Sequence, residues 1–322
     1  MALVFVGVGL ALMLLGSGAV ARGGAALFRR IGISPLVISL LVVSLAMSSP
    51  ELAVSLQAAV KSQADIALGT IIGSNIVNIL LVLGLAAVFR PVPAPPKIVF
   101  RDVLFLLAAS GALLAAATTG ALSRLMGAAL LAGLVVYIIV CFLTERGRSI
   151  AMASAHALPR IDVQAPPASL NIFLLLLGGA FLVFGARYAI DGALALARDY
   201  HLPVLIIGFT VVALGTALPE LGTALFASFR GNNPLLSGQL LGSSIFNILF
   251  VLGLTAIIHP LAISPALSHA DVYVMGAAAL VLIPMMLSSW RVSRFEGFML
   301  IAGYAAWLGF LAWRMNMLPF AG

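Results

Sequence analysis

Two carboxylates stand where a carboxylate is most costly. Glu51 lies in "SLAMSSPELAVS" (44–55) and Glu220 in "ALGTALPELGTA" (213–224), each directly after a proline and each inside an apolar stretch long enough to cross a bilayer. An acid at membrane depth normally faces a protein interior or an aqueous path. Proline lacks an N–H and collides with the carbonyl four residues earlier, here Ala46 and Gly215, so each helix should open over the preceding turn. Carbonyls around Ser44–Met47 and Ala213–Thr216 would then be free, and free backbone oxygens at that depth are tolerated only when buried or lining a cavity. They are also hard ligands for a cation.

A second pair of blocks supplies neutral oxygens. "GSNIVNILLVLGL" (73–85) returns as "GSSIFNILFVLGL" (242–254). Ser74 and Asn78 are four residues apart on one helical face, as are Ser243 and Asn247. Gly69 with Gly73, and Gly238 with Gly242, form G-x-x-x-G faces that let helices approach closely. The combined set is two carboxylates, two amides, several hydroxyls and the opened carbonyls, with no His or Cys among them. Such oxygens suit Ca²⁺, which takes about six to eight of them in flexible geometry, and also Na⁺. Zinc or copper would call for imidazole or thiolate. If the two acids meet, two like charges demand a cation between them.

The elements that must position these groups are membrane helices. Of 322 residues, 63% are hydrophobic and 8% charged, against about 25% charged in soluble domains. Long apolar runs punctuated by Gly and Pro read as an all-α integral membrane protein, not a barrel of short alternating strands. Ten spans are expected, at about 2–20, 34–60, 65–89, 103–120, 124–144, 169–187, 203–229, 234–258, 270–289 and 296–313. The first lacks the basic flank and small-residue cleavage site of a signal peptide. Cys141 is the single cysteine, so no disulfide framework or thiol metal site is expected.

The net charge of +7 is an orientation signal, not a nucleic-acid site. With the N-terminus outside, loops after odd-numbered spans carry twelve of the Lys and Arg residues and the opposite face five, the positive-inside asymmetry.

Residues 36–88 and 205–257 align without a gap at an offset of 169, with 22 of 53 pairs identical. Five spans separate the copies, and an odd number makes them antiparallel in the membrane. The expected architecture is two inverted five-helix repeats, 1–144 and 169–322, joined by a cytoplasmic linker 145–168, with helices 2 and 7 broken at the prolines. Inverted repeats with helices broken near the midplane are built by secondary transporters, with the site at the repeat interface. A duplication kept for packing alone has no reason to preserve a buried acid.

At these blocks the chain resembles the calcium/cation antiporter superfamily, whose repeats read close to G-T-S-L-P-E and G-S-N-I-x-N/D, and most of all its prokaryotic sodium/calcium exchanger branch. The resemblance implies Na⁺/Ca²⁺ exchange by alternating access, both ions binding Glu51 and Glu220 at the membrane centre. It nominates Ser48, Thr216, Ser74, Ser243, Asn78 and Asn247 as side-chain ligands, and Ser44, Met47, Ala213 and Thr216 as backbone ligands. It implies no enzymatic activity and no cofactor beyond the transported ions, and a monomer in a prokaryotic plasma membrane, with spans one and six sliding against the rest. Three departures stand out. Met47 replaces the usual Thr, Ala217 replaces a Ser, and Asn247 stands where several relatives carry Asp. The two lost hydroxyls touch the sodium positions, which keeps H⁺-coupled Ca²⁺ antiport as the alternative, although neither repeat reads G-N-x-x-E as proton-coupled relatives do. A passive channel with the glutamates as filter is a further class.

The linker is too short for a calcium-sensing domain. His156, His201, His259 and His269 have no histidine partner at helical spacing and read as solvated. Arg187 and Asp191, four apart, are expected to pair.

Overall fold

A computed structural model of the chain describes residues 1–30, 44–145, 167–230, 236–263 and 269–314. The linker 145–168 and the start of the second expected span lie almost wholly outside them. Helix α1 runs Ala2–Arg30. The next span is in two pieces, α2 (Ser44–Met47) and α3 (Ser49–Val60). Then come α4 (Ala64–Phe89), α5 (Pro96–Thr118), α6 (Arg124–Glu145) and α7 (Ala168–Asp199). A second broken pair follows, α8 (Val204–Thr216) and α9 (Leu218–Arg230), then α10 (Leu236–Ile258), α11 (His269–Ser289) and α12 (Arg294–Arg314). Among the described residues eight helices are long and apolar enough to cross a membrane, and the bent pair α8–α9 makes nine.

Two helices form the centre. α4 is 83% buried over its most apolar window and α10 78%, against 22–39% for the other six spans. These carry the G-S-x-I-x-N blocks, so the polar motif sits in the middle of the bundle.

Glycines set how closely the surrounding helices approach. α1 and α7 pack antiparallel along a seam with a seven-residue repeat. A Cβ on Gly9 would lie 2.6 Å from the Gly185 carbonyl oxygen, one on Gly16 2.8 Å from that of Gly178, and one on Gly23 2.6 Å from that of Asn171. No side chain fits there, and the two helices form one tightly joined pair. α4 meets α12 where Gly84 faces Gly297, and α10 meets α6 where Gly253 faces Gly127.

Short ribbons tie the helix ends. β1 (Val92–Pro93) pairs antiparallel with β4 (Arg291–Val292), in register Val92↔Val292. β2 (Ala121–Leu122) pairs with β3 (Leu261–Ala262), in register Leu122↔Leu261. The 23 residues of α5 separate β1 from β2, about 34 Å at 1.5 Å per residue, so the two ribbons cap opposite ends of the bundle.

Two buried acids outside the expected set appear at helix starts. Asp102 on α5 accepts from Arg101 Nε at 2.6 Å and from Tyr137 Oη at 3.2 Å. Asp271 on α11, 169 residues later, accepts from Arg314 Nη1 at 2.9 Å. The expected Arg187–Asp191 pair is replaced: Asp191 is held by Lys61, at the end of α3. A partner on a neighbouring helix fixes α3 against α7, which a pair within one helix would not do.

Candidate functional site: a buried all-oxygen centre

Both prolines break their helices as the sequence requires. Ser48 is a turn between α2 and α3, and α8 meets α9 at Ala217 with a 45° bend. The carbonyls respond unequally. Ala46 O, orphaned by Pro50, is taken by Ser49 Oγ at 2.7 Å. Ala213 O is less free than expected. It accepts the Ala217 amide at 3.1 Å and the hydroxyls of Thr216 and Ser74 at 3.2 and 3.3 Å. The Pro219 clash acts on Gly215, so the helix opens C-terminal to Ala213 and leaves that bond intact.

The nominated side chains are brought together in the interior. Glu51, Glu220, Ser48, Ser74, Asn78 and Asn247 are 0% exposed, Thr216 1% and Ser243 3%. Ser243 Oγ donates to Glu220 Oε1 at 2.9 Å, and Ser74 Oγ and Thr216 Oγ1 share a hydrogen bond of 3.1 Å. Glu51 faces Thr216 and lies close enough to Glu220 to feel its charge. Both Glu51 oxygens, Glu220 Oε2, Ser48 Oγ, both Asn78 side-chain polar atoms and Asn247 Oδ1 have no hydrogen-bond partner of normal geometry. Ser44 opens α2, and only its backbone is described.

Burying an ionised carboxylate costs several kcal/mol even after relaxation unless it is compensated. Here two acids share one buried interior, and among the described residues no Lys or Arg is hydrogen-bonded to either. The oxygens among these atoms are acceptors that a bound cation or an ordered water could engage. Among the described residues no cluster of three or more His, Cys, Asp or Glu exists; two carboxylates with neutral oxygens around them have the chemistry to hold a hard cation.

Three features were missed by the motif reading. Asn78 and Asn247 each fall in a π-helical segment, Val77–Val82 and Asn247–Leu252. One extra residue in the turn re-aims side chains, and such segments recur at functional sites. Asn75 bridges the centre: its Nδ2 donates to Ser244 O at 3.2 Å, and Asn247 Nδ2 donates to its Oδ1 at 3.2 Å. Gln239 donates from Nε2 to Met47 Sδ at 3.2 Å, beside the position where the first repeat lacks its hydroxyl. The change from Asn75 to Ser244, the one polar mismatch between the two blocks, was the available signal for the second.

A buried oxygen cage carried on helices broken at proline, at the centre of a membrane bundle, defines a cation transporter. The chain belongs to the sodium/calcium exchanger protein family, whose model matches residues 1–143 and 170–313 and skips the linker. It is 36% identical over 314 residues to the inner membrane protein YrbG of Escherichia coli, covering 95% of each chain. It is 27% identical to the sodium/calcium exchanger MaX1 of Methanosarcina acetivorans, over 93% of this chain and 95% of that one. Its fold matches the sodium-calcium exchanger NCX_Mj, in a structure soaked with Na⁺ and Sr²⁺, at a TM-score of 0.62 and 26% identity, covering 96% and 97% of the two chains.

Proposed function

We propose that the chain exchanges Na⁺ for Ca²⁺ across the membrane by alternating access, the two ions competing for Glu51 and Glu220. One observation carries this reading: two fully buried carboxylates at matching repeat positions, with three of their four oxygens unpartnered. A divalent cation between them would offset both charges, and Na⁺ would compete for the same oxygens. Ser48, Thr216, Ser74, Ser243, Asn78 and Asn247 complete the side-chain ligands, with backbone oxygens of Ser44, Met47, Ala213 and Thr216.

The architecture proposed is ten spans in two inverted repeats, 1–144 and 169–322, about linker 145–168. The ribbons support it. β1 follows the third span and β4 the ninth, yet they pair, while β2 and β3 pair at the other end after the fourth and eighth. That pattern needs an odd number of spans per repeat. The glycine crossings support it too: Gly84 corresponds to Gly253 at the offset of 169 and Gly127 to Gly297 at 170, so the crossings Gly84–Gly297 and Gly253–Gly127 are counterparts. The seam between α1 and α7 suits a pair moving as one body against α4 and α10. The positive-inside charge favours an outside N-terminus, and the monomer of a prokaryotic inner membrane remains the proposed form.

A second reading has one specific observation in its favour. Met47 and Ala217 carry no hydroxyl, and a proton, unlike Na⁺, needs only a carboxylate. The test of the site is radioactive Ca²⁺ flux in proteoliposomes with Glu51→Ala and Glu220→Ala. Either variant keeping full Na⁺-driven flux would sink the proposal.

A further inference from the structure

The hydrogen bonds around Asn75 can run in one direction only. Asn75 Nδ2 lies 3.2 Å from the carbonyl oxygen of Ser244 and 3.6 Å from Met275 Sδ. A backbone carbonyl accepts and never donates, so the amide nitrogen of Asn75 must face it. Its Oδ1 is thereby turned to the other side, where Asn247 Nδ2 stands at 3.2 Å. That oxygen can only accept, so Asn247 must present its nitrogen there. Asn247 Oδ1 is left facing away from Asn75, buried and without a hydrogen-bond partner.

The matching amide of the first half, Asn78, has no such holder. The residue matching Asn75 is Ser244, whose hydroxyl has no partner, and Asn78 has neither its Nδ2 nor its Oδ1 engaged. One of the two matching amides is therefore held and the other is not.

We propose that Asn75 is a positioning residue that locks the Asn247 carboxamide with its oxygen toward the transported cation. Asn247 is then a fixed oxygen ligand, while Asn78 can turn as the occupant of the site changes. This rests on the exchange reading above. An amide held oxygen-first offers the cation a fixed acceptor without adding a third negative charge. Outer hydrogen-bond partners that orient a ligand are typically worth roughly 10- to 100-fold in metal affinity.

The test uses the full chain in proteoliposomes and the Ca²⁺ concentration that half-saturates Na⁺-driven uptake. Four proteins are compared: wild type, Asn75→Ala, Asn247→Asp, and the double variant. Both oxygens of a carboxylate serve equally, so Asn247→Asp removes the need for orientation. Asn75→Ala is expected to raise half-saturation about tenfold with Asn247 present, and less than about twofold in the Asn247→Asp background. Equal losses in the two backgrounds, or a loss only of maximal rate and thermal stability, would show a structural role and overturn the proposal. If Asn75→Ala does not yield folded protein, Asn75→Ser, which copies the second half, is put through the same comparison. A wild type with no Na⁺-driven Ca²⁺ uptake overturns the exchange reading and this proposal with it, an outcome distinct from equal losses in an active protein.

Discussion

Ser243 donates its hydroxyl to Glu220 at 2.9 Å, whereas its counterpart Ser74 is turned to Thr216 at 3.1 Å. The difference follows from one residue. Thr216 gives Ser74 a hydroxyl to meet, but the matching position in the first repeat is Met47, so Ser243 has only the carboxylate. The two acids are therefore unequal, Glu220 with one oxygen engaged and Glu51 with none. A hydrogen bond to a charged group is worth about 1.5–3 kcal/mol, roughly tenfold or more in an equilibrium. Ser243→Ala is expected to raise the half-saturating Ca²⁺ concentration about tenfold, and Ser74→Ala by clearly less. Isotope uptake against Ca²⁺ concentration measures both, and a larger effect at Ser74 would contradict the asymmetry.

Restoring the missing hydroxyls should strengthen the sodium response. Met47→Thr breaks the contact between Gln239 and the Met47 sulfur and, with Ala217→Ser, adds two oxygens to a buried site. At about 0.5–1.5 kcal/mol per new polar contact, the Na⁺ concentration for half-maximal exchange should fall roughly threefold or more. An unchanged Na⁺ response would mean that these positions do not touch the sodium sites.

The seam of α1 and α7 predicts a sharp contrast between glycines. A Cβ on Gly185 would lie 2.7 Å from the Gly9 carbonyl oxygen, while one on Gly18 would meet nothing within 4 Å. Gly185→Val should destabilise by about 1–3 kcal/mol through overpacking. Gly18→Ala should be neutral or stabilising by up to about 1 kcal/mol, since alanine is the better helix former. Thermal unfolding in detergent compares them.

Arg314 should matter more through Asp271 than through its own contacts. Asp271 is fully buried and the Arg314 side chain about a quarter exposed. Stripping the cation from a buried acid costs about 3–5 kcal/mol, with solvent access favouring the lower end. Arg314→Leu should lower the melting temperature, and adding Asp271→Asn should recover much of the loss. A double variant less stable than Arg314→Leu alone would count against this pairing.

The parts of the site legible in the sequence were those that break a rule of the membrane. Glu51 and Glu220 stand out because acids are costly there, and Pro50 and Pro219 because helices cannot pass through them. The 169-residue offset made each observation count twice. What stayed hidden depends on contacts between elements. Asp102 and Asp271 lie near span ends, where a carboxylate reads as solvated until Tyr137 and Arg314 are seen to cover them. Lys61 takes Asp191 from a separate helix, which spacing within α7 does not reveal. The π-helical turns at Asn78 and Asn247 shift those residues by local winding, and residue type does not encode that shift in isolation. Asn75 was visible only as a mismatch between the two blocks.

The most direct test of Na⁺/Ca²⁺ exchange is radioactive Ca²⁺ uptake into proteoliposomes loaded with Na⁺, beside vesicles with a matched pH gradient and no Na⁺. Uptake that requires the outward Na⁺ gradient is the predicted result. Uptake driven by the pH gradient alone would contradict it and mark Met47 and Ala217 as signs of a proton-coupled exchanger.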